Sequence, residues 1–457
     1  MMSVKYGKPS DDFAEIRFGD KRLTKRLVKT VSSMTERMQD SILSACGTRH
    51  DAKSFYALLS NEKFTRVQLH ETAQQGTITR IKESGITEVL LPQDTADINL
   101  HGHKKTEGLG YSSNHTKGVQ IHSCLALTPE GMALGLLHQS YGTRETKKIS
   151  LTAEEKKQRP IEEKESHRWL ETAQASMKVI PENVTPIIIC DREGDFYELY
   201  AEMMTLEASF VVRLVQDRVT ESGEHSMQQL RRTKGCGEVE VCIPRDTRKS
   251  RPARSAKMEV AFCSVVVCRP KRVCKELPKQ LVMTLVRITE IGETEDPIEW
   301  LLATNISVAN ADEVMKIVGY YVHRWKIERF HYVLNSGCQV EKIQQRTYER
   351  ILSMLLIYSV IAIYILAMTY AARVVPDCPC DVFLDEDEWK ILYRLITREK
   401  SAPREAYSLK TAIAYLGELG GFKHSPSDGV YGAKAIWKGL TRLYDAIDFH
   451  IRLVGQV

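Results

Sequence analysis

Apolar residues recur at helical spacing early in the chain. In KRLTKRLVKTVSSMTERM, Leu23, Leu27, Val31 and Met34 fall on one face, so the pattern predicts a helix opened by a Gly19–Asp20 turn with Asp20 as N-cap. Residues 1 to about 70 read as helical. From about residue 85 the pattern changes to short apolar runs ended by turn signals. EVLLPQD ends at Asp94, GVQIHSCLALT and GMALGLLHQS form a hairpin pattern, and TPIIICDREGD ends at Asp191 and Asp195. HRWLETAQASM and DFYELYAEMM supply helices between or after these strands. PIIIC is continuously apolar, as a strand covered on both faces would be, so the predicted fold class is α/β. Between about 205 and 305 the runs SFVVRLV, GEVEVCIP, KMEVAFCSVVVCR, LVMTLVRITE and EWLLATN are purely strand-like and predict a large β insertion. Helices return from Ala311 to Ala372, break at the proline- and acid-rich VVPDCPCDVFLDEDEW, and resume to the end.

One of these helices complicates the picture. Ile351 to Ala372 carries no charge and would reach about 33 Å, which suits a membrane span or a fully buried core helix. The composition, 43% hydrophobic and 27% charged, is that of an ordinary globular protein. A net charge of +5 says little by itself, but its distribution is uneven. Residues 245–275 hold ten Lys or Arg against two acids, and RFGDKRLTKRLVK holds six Lys or Arg against the single acid Asp20. Two such clusters suit a long polyanion better than a small ligand, although a solvated charged face is the commoner origin of any one of them. Eleven cysteines without a disulfide-like framework point to a reducing cytoplasm, and Cys378–Cys380 is a lone CxC without a second pair. The first thirty residues lack an apolar core, so no signal peptide is expected.

The candidate chemistry lies in carboxylates. Asp94 and Asp191 each follow an apolar run, where a strand end would present them at the ligand-binding edge of an open sheet. A helix cap or turn Asp is the ordinary alternative for either alone. YVHRWKIERFHYVLNSG, placed on one helix at 100° per residue, gathers Tyr321, Arg324, Glu328, Tyr332 and Asn335 within about 80°. Three carboxylates brought within about 5 Å would repel by about 3 kcal/mol per pair, which demands protons or a cation. Ligation by oxygen alone selects Mg²⁺ or Mn²⁺ over zinc, and basic neighbours suit phosphate.

These residues also carry a resemblance. Tyr321, Arg324 and Glu328 in Y-x2-R-x3-E, with QDT at Asp94 and CDREGD at Asp191, resemble the signature of the bacterial insertion-sequence DDE transposases of the IS-four family. FGDKRLTKRLV, GLLHQS, SFVVR, RPAR, EWLLATN, HRWKIERFH and LGGF appear in the expected order over nearly the whole chain. The resemblance implies a ribonuclease-H-like catalytic domain over 71–372, interrupted by the β insertion. It also implies an N-terminal helical domain over 1–70 that binds the transposon end, a C-terminal helical dimerisation domain over 373–457, and a buried rather than membrane-spanning 351–372. Asp94, Asp191 and Glu328 would hold two Mg²⁺ ions per active site, with Mn²⁺ able to substitute. Tyr321 and Arg324 would grip phosphates, Trp300 would stack on a flipped base, and Arg213 would lie near the bent strand. Further DNA contacts are implied for Trp325, for Arg251 and Arg254 of RPAR, and for Lys21, Arg22, Lys25, Arg26 and Lys29 of the first helix.

The partners implied are double-stranded DNA, both transposon-end inverted repeats and target, and a second copy of the chain in the DNA complex, with no membrane. The reaction implied is cut-and-paste transposition through a hairpin intermediate. The family signature continues to a lysine where this chain has Asn335, which removes a charge. Two other readings therefore stand beside the transposase: a DNA-binding inhibitor of transposition that has lost catalysis, and a metal-dependent nuclease without strand transfer.

Overall fold

The computed structural model describes residues 5–113, 116–143, 152, 159–243, 254–292, 297–423 and 431–454. Arg251 lies outside the described residues. In chain order the main elements begin with α1 (Lys21–Glu36), α2 (Arg49–Leu58), α3 (Arg66–Ser84), β1 (Glu88–Asn99), β2 (Gly118–Leu127) and β3 (Ala133–Gly142). There follow α4 (His167–Met177), β4 (Thr185–Cys190), α5 (Tyr197–Thr205), β5 (Ser209–Arg213), α6 (Ser226–Arg232), β6 (Gly237–Ile243), β7 (Arg254–Cys268), β8 (Gln280–Glu290) and β9 (Glu299–Thr304). The remainder is helical: α7 (Ala311–Val322), α8 (Trp325–Tyr332), α9 (Tyr348–Val374), α10 (Glu386–Thr397), α11 (Leu409–Leu419) and α12 (Ala433–Val454).

The chain forms two compact units, and β1 passes through both. The first comprises Met1–Thr87, Thr95–Lys148 and Lys326–Val457; the second comprises Glu88–Asp94 and Ile149–Trp325. In the first unit α9 is the core element. Its apolar stretch is long enough to cross a membrane, yet it is wholly buried among α3, β3, α11 and α12. A helix apolar on every side has no face for water, and this one is enclosed by protein. Helix α3 is tied to the backbone of β3, the Thr77 hydroxyl donating to Leu136 O at 2.8 Å and the Gln74 amide to Leu137 O at 2.7 Å. Arg80 of α3 forks onto Asp12 at 2.6 and 2.9 Å and lies 4.8 Å from the Tyr6 ring, pinning the N-terminal segment. In α1, the Asp20 side chain accepts the Arg22 N–H at 2.9 Å, and Leu23, Leu27, Val31 and Met34 are buried. Both features are those the apolar spacing predicts.

The second unit is built on a mixed sheet in the order β1-β4-β5-β9-β8-β7-β6. The first three strands run parallel, and β5 to β6 are joined by antiparallel pairings. Ile187 to Cys190 are all buried, as a continuously apolar strand requires. In the first unit the second part of β1 extends the hairpin to the order β3-β2-β1. The chain is thus mixed α/β, with a large sheet and helices at both ends.

Two details depart from the sequence reading. The first strand does not stop at Asp94 but continues to Asn99, because the polar segment after Asp94 still joins a ladder. The region 205–305 is not purely strand-like, since α6 interrupts it.

Candidate active site

The parallel register of β1 and β4 pairs Leu91 with Ile188 and Pro92 with Ile189. Continued by two residues, the same register sets Asp94 level with Asp191. Neighbouring strands lie about 4.8 Å apart, so that continuation would bring the two backbone positions next to each other where β4 ends. Both are half-buried. Asp191 caps the one-turn helix Arg192–Gly194, its side chain accepting the Glu193 N–H at 2.8 Å. Gly194 backs directly onto Cys190, where any Cβ would collide with the Cys190 side chain. The turn that aims Asp191 is therefore tight by composition.

Around Asp191 the second unit gathers cations and aromatic rings. Tyr321 is buried, hydrogen-bonded to Arg213, with the Arg324 guanidinium 5.9 Å from its ring and the Trp300 ring edge-on at 5.5 Å. Burial raises the pKa of the Tyr321 hydroxyl; Arg324 and Arg213 draw it down, and Asp191 opposes them. Burial likewise lowers the pKa of Arg213, with Tyr321 opposing and Arg192 and Arg324 reinforcing the shift. Arg213 also donates to Glu299 O at 3.4 Å. Arg324 is buried and stacks on Trp325 at 4.6 Å, while Trp325 itself is 48% exposed. Two arginines, Arg213 half-buried and Arg324 buried, thus face one tyrosine, with Asp191 near that tyrosine and Arg192 near Arg213. Guanidinium groups held this way present forks suited to phosphate oxygens.

The helix drawn from residues 321–337 is broken. His323 and Arg324 donate to Tyr320 O and Tyr321 O, three residues back, ending α7 before α8 starts at Trp325. Val333–Gly337 then form a π-helical turn. The five residues placed on one face do not share a single helix, although Tyr321 and Arg324 still meet. Glu328, half-buried on α8, and Asn335, in the π turn, belong to the first unit. The Asn335 side-chain oxygen is buried without a hydrogen-bond partner among the described residues. Among those residues no three His, Cys, Asp or Glu form a group able to hold a metal ion. Asp94 and Asp191 are a pair of oxygen donors of the kind Mg²⁺ takes.

Both ends of the chain match known families. Residues 9–64 match the family described as transposase DNA-binding, and residues 360–449 match the Tn5 transposase dimerisation domain. The chain belongs with the Tn5-like transposases. Neither match reaches Asp94, Asp191 or Glu328. A solved piggyBac transposase synaptic complex with hairpin DNA aligns over 99% of this chain and 82% of that chain. At 9% identity and a TM-score of 0.37, nothing about this chain follows from it.

The DNA-binding match contains α1. Lys21, Arg22, Lys25 and Lys29 of this transposase are exposed and Arg26 is half-buried. Two of these cations already hold carboxylates, Arg22 with Asp20 and Lys29 with Asp51, each at 3.0 Å. Arg254 lies on β7 with its guanidinium engaged by the buried Glu290 of β8. That pairing gives it a structural task inside the sheet. Sequence reasoning missed Arg192, whose signal was its place next to Asp191, and the ion pair of Asp195 with Arg218.

Proposed function

We propose that this transposase cuts at transposon ends by in-line displacement at phosphorus and then joins the freed 3′ ends to target DNA. The observation that supports the reading is the register of β1 and β4, which, continued by two residues, would level Asp94 with Asp191, the latter near Tyr321 with its neighbours Arg213 and Arg324. The orders β3-β2-β1 and β1-β4-β5 support a ribonuclease-H-like catalytic domain. Asp94 and Asp191, with Glu328 as third ligand, would hold two Mg²⁺ ions, Mn²⁺ substituting. Such ions would neutralise the attacking and leaving oxygens of the displacement. The pair Asp94 and Asp191 fits by donor type, since both side chains offer only oxygen.

In this reading Arg324 and the Tyr321 hydroxyl bind phosphate oxygens beside the scissile bond, and Arg213 orients that hydroxyl. Trp300, edge-on to Tyr321, offers a face on which an extruded base stacks, a contact worth about 1–3 kcal/mol. Water first releases the transposon 3′-hydroxyl; this attacks the opposite strand to form a hairpin, which a second water opens. The α1 surface binds the transposon end, and a dimer in the DNA complex pairs two ends.

The test is a linear fragment bearing terminal inverted repeats, incubated with the protein and Mg²⁺. Hairpinned and inserted products are expected. Asp191→Ala should still bind ends but form no product, and nicking by that variant would overturn the reading. Simple cuts from the native protein would indicate a nuclease. A shifted but uncut band would indicate the inhibitor that the uncharged Asn335 leaves open.

A further inference from the structure

The turn that carries Asp191 has a carboxylate at each end. Asp191 opens it half-buried, and Asp195 closes it with its side chain wholly shielded from solvent. The Asp195 Oδ2 accepts the backbone N–H groups of Val215 at 2.5 Å and Gln216 at 2.6 Å. Its Oδ1 accepts the Tyr200 hydroxyl at 2.7 Å and stands 2.5 Å from the Arg218 guanidinium. The same guanidinium donates to the Asp195 carbonyl at 2.9 Å and covers the Tyr200 ring at 5.2 Å. A buried ion pair adds little net stability, because desolvation offsets its attraction. What this one enforces is geometry. Val215 and Gln216 lie just beyond Arg213, on the segment leaving β5, so the pair locks the Asp191 turn to the strand end that presents Arg213 to Tyr321.

We propose that Asp195 and Arg218 are positioning residues that set the Asp191 carboxylate against Arg213 and Tyr321. Loosening them lowers the catalytic rate and the affinity for divalent metal while leaving affinity for transposon ends intact. The inference rests on the reading of Asp191 as a metal ligand. The turn has little slack to absorb a shift, since Gly194 abuts Cys190 and Asp191 is tied to the Glu193 N–H. A displacement at Asp195 therefore reaches Asp191.

The test uses the full chain with Arg218→Lys, which keeps the charge but loses the fork, and with Asp195→Asn. Four quantities are measured: thermal unfolding, end binding without metal, the Mn²⁺ dissociation constant by calorimetry, and the single-turnover rate constant of the preformed end complex. Arg218→Lys is expected to bind ends as the native protein does, with Mn²⁺ affinity and rate constant each lowered by about 10–100-fold. A merely structural role would lower the melting temperature and the active fraction, yet leave the rate constant and Mn²⁺ affinity of the folded complex at native values. That outcome overturns the proposal. If both variants fail to fold, Tyr200→Phe removes one hydrogen bond to Asp195, with a loss of about threefold to tenfold expected in the same two quantities and no loss overturning it. If Asp191→Ala binds Mn²⁺ as the native protein does, the parent reading falls and this one with it. If Asp191→Ala abolishes Mn²⁺ binding but the positioning variants match the native protein, only this inference falls.

Discussion

The transposase has two basic regions, and they differ in kind. On α1 the cations are mostly lysines, exposed, on one face of one helix, and two of the five charges are shared with Asp20 and Asp51. Around Tyr321 the cations are arginines, drawn from separate parts of the chain, with Arg324 buried and Arg213 half-buried. Exposed lysines are hydrated point charges on flexible stems, and exposed ion pairs hold weakly enough to be exchanged for phosphates. Such a surface gives affinity that falls steeply with salt. Buried guanidinium groups have already lost their hydration and rotamer freedom in folding, so they present fixed forks. The difference teaches that a count of basic residues does not separate a region that attracts DNA from one that positions a phosphate.

The widest separation between the regions should come from Arg324→Ala. It is expected to lower the single-turnover cleavage rate by about 10²–10³-fold while changing the slope of log K against log salt by no more than about one unit. An unchanged rate with a large loss of slope would erase the distinction. Trp300→Leu should slow hairpin formation by about 5–150-fold, the equivalent of one lost base stack, with first-strand nicking nearly unaffected; equal slowing of both steps would remove the stacking role. In the other region, Lys21→Ala with Lys25→Ala should flatten the salt slope by about two units and leave the rate constant of the preformed complex unchanged, as a titration in increasing salt would show. The smallest effect is expected from Asn335→Lys, which should steepen the slope by about one unit. No change there would mean that this position does not face DNA.

The legibility of the two regions differs for a physical reason. The α1 face follows from local spacing: its N-cap, apolar stripe and cations are all set within sixteen residues. The Asp94 and Asp191 placement was half legible. The apolar runs identified the strands, but only the register of β1 against β4, continued by two residues, relates the two positions, and β1 ran on past Asp94. Tyr321 and Arg324 were expected as neighbours on a continuous helix, and they meet although the helix breaks at His323. Asp195 was visible only as the end of an apolar run. Its burial depends on Val215, Gln216 and Arg218, which no local pattern connects to it.

The sequence by itself determined the elements with strong periodicity or strong apolarity: α1 with Asp20 as its cap, the β2–β3 hairpin, the strands of the insertion, and α9 as a helix able to be buried on every side. These follow from interactions between residues close in the chain, or from the cost of leaving apolar surface in water. Only the tertiary structure decided that α9 lies inside protein, that Arg213 meets Tyr321 about a hundred residues away, and that Arg254 is held by Glu290. Those contacts depend on sheet order and register, which place distant side chains together without leaving a local signature at either position.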